Sequence, residues 1–341
     1  MRRRTFLRPS KQGRRMKKRH WGSSAGIVIA SLSLMHPVHA QLVPDEAKAA
    51  ILGIRYLTHA PDARDYWPAY SPDGLRVVFS RTKFGSNSAQ FYVVPTSGGD
   101  AHPFIVGKNP PSATRPSWSA KTDVIAFTNE NTDETSDVWL VNGDGTHARA
   151  LNIRGVSTDT AYPSWYPDGE NLVLMDARQG VLQRVNVQHG TASAMTNHAQ
   201  VMVGMPSASP DGKCVAFAGQ QNHGQPYDQD KNVIWLACAG STPHPLEIEP
   251  QEGRAPTWSP DGKRIAFESN RNSENVNFYA IFIINSDGTG IKQITPFWMN
   301  ANHPVWSPDG KRLVFSARQQ KSNGRFGPGI ATMAAPSVGP N

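Results

Sequence analysis

The stretch Pro256-Thr-Trp-Ser-Pro-Asp-Gly-Lys-Arg-Ile-Ala-Phe267 decides the fold, because the chain repeats it. Related stretches begin at Pro68, Pro116, Pro163, Pro206 and Pro304, so the six leading prolines stand 48, 47, 43, 50 and 48 residues apart. Such a period holds one four-stranded antiparallel sheet, and six copies predict an all-β, six-bladed β-propeller. Pro256 to Ser259 reads as a short first strand closed by Pro260-Asp261-Gly262. Proline presets φ for that turn and glycine supplies its φ > 0 position. Arg264 to Glu268 is a second strand, too densely apolar for a solvent-facing ribbon and therefore packed between blades. Phe278 to Ile284 is the third, Ser286-Asp-Gly-Thr-Gly290 a hairpin turn, and Ile291 to Thr295 the fourth.

The sixth copy lacks a fourth strand: after Ile330 to Met333 the chain continues as a tail, residues 334–341. Ile54-Arg-Tyr-Leu-Thr58, ahead of the first copy, reads like Ile291-Lys-Gln-Ile-Thr295 and lies at nearly the same distance from its next proline. Residues 54–58 are therefore expected to complete the last blade, which closes the ring and leaves no open sheet edge. The propeller then spans 54–333, after a short N-terminal segment, 41–53.

Composition agrees with many short strands: 29 Gly, 27 Pro, nine Trp and only 18% charged residues. The formal charge of +8 suggests a nucleic-acid or anionic-membrane binder until the charges are located. Ten basic residues and no acidic one fall within residues 1–40, leaving 25 basic against 27 acidic in the remainder. No nucleic-acid role follows. The uncharged run from Gly22 to Met35 and the small residues of Val38-His-Ala40 complete the pattern of a signal peptide, with cleavage expected after Ala40. The apolar core is too short to span a bilayer and no later segment could, so the expected product is a soluble, monomeric, periplasmic or secreted protein beginning at Gln41. Arg3-Arg-Thr-Phe-Leu-Arg8 fits twin-arginine export, and Met16-Lys-Lys-Arg19 fits the Sec route from an internal start.

The Pro-x-Trp-Ser-Pro-Asp-Gly-Lys-Arg-Ile-Ala-Phe pattern, intact at Pro256 to Phe267 and nearly so at Pro304 to Phe315, resembles the repeat of the TolB-type propeller family. It covers residues 54–333 and implies the propeller fold. For function it implies several roles, since that repeat serves periplasmic interaction proteins, the propellers of prolyl peptidases and some carbohydrate-active lyases. TolB itself carries an α/β domain before its propeller; here about thirteen residues separate Gln41 from the first strand.

The loops that enter each first strand are long and varied, whereas the Pro-Asp-Gly and Asp-Gly turns of the opposite face read as purely structural. Asp65 and Trp67; Arg115; Asp159 and Tyr162; Met205; Glu252 and Arg254; Asn302 and His303 are thus expected to ring the mouth of the channel. Blades two and five face each other, which sets Arg115 across from Arg254; two guanidinium groups suit a carboxylate, unless each pairs with an acid such as Glu252 or Asp65. The repeat-bound aromatics Tyr70, Trp118, Trp165, Trp235, Trp258 and Trp306 read as interblade core, with Trp67, Tyr162 and Trp298 the candidates for contact.

No tight histidine spacing, nucleophile elbow or phosphate-cradling loop is present, so no metal or cofactor is implied; Asp228-Gln-Asp230 lacks the later residues of a calcium loop. Cys214 opens one strand and Cys238 closes its hairpin partner, which allows a disulfide or two buried thiols. The reading is an exported, non-catalytic module that binds a periplasmic protein or a cell-envelope glycan. The alternative is a carbohydrate lyase or hydrolase built from Asp65, Asp159, Glu252 and His303.

Overall fold

A computed structural model describes residues 45–336 apart from 106–109, 111, 134, 159–160, 225, 227, 229–230 and 247–251. The leader reading and Asp159 lie outside the described residues. Six four-stranded antiparallel sheets form the blades of a propeller. Their innermost strands are Ala63–Tyr70, Ala113–Trp118, Ser164–Trp165, Val201–Ala208, Arg254–Trp258 and Asn302–Trp306. Neighbouring blades bury an aliphatic and aromatic core between them, and each of the six repeat-bound aromatics packs in or against one of its clusters.

The last blade closes as the repeat register predicts. Its outermost strand is Arg55–Tyr56, which pairs antiparallel with Phe326–Ala334 through Arg55↔Thr332 and Tyr56↔Ala331. Leu57 continues the seam, its N–H donating to the Ile330 carbonyl at 2.6 Å, and Ile330 N–H donates to Thr58 Oγ1 at 2.9 Å. Leu57 is 2% exposed and packs among Tyr70, Val77 and Phe79 of blade one and Val314 and Ile330 of blade six. The closing segment thus shares one core with the first and last blades. The helix Asp45–Ile51 precedes it, seating Ala49 against Met299 and Ala301.

Each Ser-Pro-Asp-Gly turn is held by the same bonds. Ser307 Oγ donates to Asp309 Oδ1 at 2.6 Å, Lys311 N–H donates to the same oxygen at 3.0 Å, and Gly310 N–H donates to the Ser307 carbonyl at 2.9 Å. Gly310 has φ of 68°, and a Cβ there would come within 3.6 Å of Pro260, the turn proline of the preceding blade. Glycine is needed for the left-handed conformation; a Cβ would meet the neighbouring proline only at ordinary contact distance.

Cys214 pairs directly with Cys238 in the hairpin of blade four, with Cα atoms 4.0 Å apart, and the two form a disulfide.

Candidate functional site

The residue immediately before each repeat proline adopts a left-handed conformation. The φ angles are 48° at Trp67, 53° at Arg115, 46° at Tyr162, 46° at Met205, 48° at Ala255 and 54° at His303. Left-handed backbone is costly for any side chain beyond glycine, and a following proline already restricts its predecessor to extended geometry. The cause is a bulge in the inner strand. In blade one the pairing passes from Tyr66↔Ser80 directly to Ala69↔Val78, so Trp67 and Pro68 together oppose Phe79. The same jump sets Arg115 and Pro116 against Phe127, Met205 and Pro206 against Phe217, Ala255 and Pro256 against Phe267, and His303 and Pro304 against Phe315. All five phenylalanines are wholly buried. Proline has no N–H to lose from the ladder, which suits it to a bulge.

Six side chains, five of them at these bulges and Tyr162 in the same left-handed conformation, line one cavity and are the most varied position in the repeat: Trp, Arg, Tyr, Met, Ala and His, ahead of an invariant proline. Four adjacent members stack. The His303 and Trp67 rings lie 5.2 Å apart, and the Arg115 guanidinium carbon sits 4.9 Å from the Trp67 centroid and 4.5 Å from that of Tyr162. Cation–π contact of this kind holds Arg115 between two rings. Met205 and Ala255 complete the circle with less bulk.

A cavity of about 410 Å³ lies against this ring. Its lining runs from the six ring residues through their prolines and the small residues that follow to Tyr70, Trp118 and Trp306, and on to Pro72, Ala120, Pro260 and Pro308 of the turns. No residue upstream of the ring contributes. The cavity therefore occupies the side of the tight turns, whereas the sequence pointed to the opposite face. The tight turns supply its rim. Its size falls within the usual range for ligand sites of roughly 300–1,000 Å³, and apolar groups dominate its walls.

The described charged residues singled out from sequence are engaged in ion pairs, mostly with partners the sequence reading did not name. Asp65 is fully buried and accepts two bonds from Arg81, Nε to Oδ1 at 2.7 Å and Nη2 to Oδ2 at 2.9 Å. Arg115 pairs with Glu130 at 2.7 Å, not with Asp65 or Glu252. Arg254 stands one residue short of the pre-proline position, so Ala255 faces the cavity and Arg254 does not line it. It lies instead 3.0 Å from Glu252, 3.3 Å from Glu268 and over the Tyr279 ring. Glu252 also accepts bonds from the Tyr279 hydroxyl at 2.8 Å and Asn270 at 2.7 Å. Burial raises the Tyr279 pKa, and that hydrogen bond to a carboxylate raises it further. Asn302 bonds back to the Asn300 carbonyl at 2.6 Å and takes no part in the cavity. Trp298 packs against the core beside the closing helix.

His303 is the ring member with acid–base chemistry. Its backbone N–H donates to Glu268 Oε2 at 2.7 Å, while its ring Nδ1 is buried without a hydrogen-bond partner. Burial pushes its pKa down; Glu268 opposes the shift, and Arg254 and Arg115 add to it. It is therefore neutral near pH 7. Among the described residues no three His, Cys, Asp or Glu side chains gather as a metal site would require, and no Asp or Glu lines the cavity.

The architecture defines a class: a six-bladed propeller with a cavity lined by one pre-proline residue from each blade. A profile of the TolB beta propeller domain matches residues 68–233, and the chain is a TolB-like propeller. Over 211 residues, 60% of its length, it is 24% identical to an uncharacterized peptidase, YuxL, of Bacillus subtilis, of which it spans only 29%. The structure of a putative TolB from Agrobacterium tumefaciens superposes with a TM-score of 0.60 at 17% identity, over 83% of this chain and 94% of that one. An oligogalacturonate lyase from Vibrio parahaemolyticus superposes with a TM-score of 0.52 at 14% identity, covering 83% of this chain and 94% of the other. Likeness at such identity is a likeness of fold. Among the described residues no helix is long and apolar enough to cross a membrane.

Proposed function

We propose that this propeller is an exported binding module that takes an apolar peptide segment of a periplasmic protein into the turn-side cavity. One observation carries the reading. Six positions that differ in every copy are held in a strained conformation and presented to a single cavity, while the residues around them repeat. Strain of about 1–3 kcal/mol per residue persists where the fold over-determines it, and it concentrates at binding sites. Proline, tryptophan and tyrosine walls favour an apolar peptide over a sugar, which needs a denser array of polar partners.

The rival reading, a lyase or hydrolase, needs at least two groups to share acid and base work. Of the described residues proposed for it, His303 alone borders the cavity, and Asp65 and Glu252 are enclosed in ion pairs elsewhere. Selection from a displayed random peptide library tests the proposal. Apolar segments should be enriched on the wild type and lost on Ala255→Trp, which fills the ring at its smallest member. Selected peptides that bind both proteins equally would refute it, as would release of unsaturated or reducing ends from envelope polysaccharide by the wild type.

A further inference from the structure

Away from the cavity, where the last blade meets the first, three arginines stand over aromatic rings without an acidic partner. Arg64 and Arg325 both lie over Phe84, at 5.3 and 5.5 Å, and Arg318 lies 3.9 Å over Phe326. Arg64 and Arg325 are exposed, and Phe326 is 47% exposed. The Arg64 guanidinium acts to lower the Tyr66 pKa, against the larger upward effect of burial. Among the described residues none of the three arginines has a carboxylate within 4 Å. This sets them apart from Arg81, Arg115 and Arg254, each of which is paired. The ridge is built across the closure. Gly327 packs so tightly between Phe84 and Arg64 that a Cβ there would lie 3.2 Å from one and 3.4 Å from the other. The nearby acids are Asp62 in the connecting turn, and Asp45 and Glu46 of the closing helix, which act on Tyr56 together with Arg318. Lys321, in the same hairpin as Arg325, is buried and bonded to Gln319 Oε1 and the Pro328 carbonyl.

We propose that this arginine–phenylalanine ridge binds an anionic polysaccharide. A guanidinium held over a ring loses little freedom on binding and keeps a planar fork of donors for carboxylate or phosphate. The cations are distributed over two aromatic supports instead of converging on one point, so they match charges spaced along a chain better than a single ion. Insertion into a bilayer would call for several exposed apolar side chains, and Phe326 is alone on this ridge. Its open edge gives the C–H face of a sugar a surface to rest on.

The test uses alginate as the anionic probe, neutral dextran as control and vesicles of anionic phospholipid as competitor. Wild-type protein should bind alginate, bind dextran negligibly, and lose affinity steeply between about 50 and 200 mM salt. The triple variant R64Q/R318Q/R325Q should bind at least about tenfold more weakly. R325Q alone, at an exposed hairpin, should weaken binding without moving the melting temperature, and Ala255→Trp should leave it unchanged. Equal affinity for dextran, alginate binding that survives the triple substitution, or tighter binding to vesicles than to alginate would overturn the proposal.

Discussion

Replacing Leu57 with alanine tests whether the ring is closed by its N-terminal segment. Leu57 is 2% exposed and touches blade one on one side and blade six on the other, although its neighbours Val314 and Ile330 lie more than two hundred residues away in sequence. Leucine-to-alanine changes at enclosed sites cost about 3 kcal/mol once the residual cavity is counted. Each kcal/mol moves the midpoint of a domain of this size class by roughly 2–4 °C, so a fall of about 6–12 °C is expected. Thermal unfolding followed by circular dichroism and tryptophan fluorescence provides the measurement, with Leu75→Ala as reference. Leu75 is 65% exposed on a turn and should shift stability by no more than about 0.5 kcal/mol. The two probes should report one transition, because losing the clasp loosens the shared core of both flanking blades. A Leu57→Ala midpoint within 2 °C of the Leu75→Ala midpoint, taken as about the resolution of the method, would refute the closure.

Ala255→Gly should be neutral or stabilising by up to about 1 kcal/mol, since relief of left-handed strain at φ 48° outweighs the chain entropy of glycine; the same change at buried Ala266, in a regular strand, should destabilise. Thiol titration of the unfolded, unreduced protein should find no free thiol, and reduction should cost about 3 kcal/mol for a bridge spanning 24 residues. His303 gives a pH signature. Its folded pKa lies below the unfolded value of about 6.5, so the unfolded state takes up the proton first and stability falls as pH drops below that value, by at most about 1.4 kcal/mol per unit. Denaturant titrations from pH 7 to 5 should show this slope in the wild type and its reduction in His303→Gln; an unchanged slope would remove His303 as its source.

The blade count, the period and the closing strand were legible because each is written as residue spacing: prolines at a near-constant step, and Ile54 to Thr58 in the register of a missing strand. That the two cysteines face each other was legible for the same reason, as two ends of one hairpin, although the choice between a disulfide and two thiols was not. The face on which the cavity opens was not. Pro-Asp-Gly turns look structural because their hydrogen bonds are internal, yet their prolines also form the rim of a cavity. Arg254 drew attention by its charge while Ala255 lines the cavity, since a bulge of one residue decides which side chain does so. A signal was available: the residue before each repeat proline differs in all six copies. Its left-handed backbone, however, arises from pairing two residues against one buried phenylalanine, a tertiary constraint invisible to local propensity.

The central claim is that ligands enter the turn-side cavity and meet the pre-proline ring. A photo-crosslinking residue placed at Met205, in the ring, and separately at Asp137, exposed at the start of a strand on the far side of the ring, tests it directly with a peptide selected on the wild type. The account predicts peptide adducts from position 205 and none from 137. Adducts from 137 with none from 205 would contradict it.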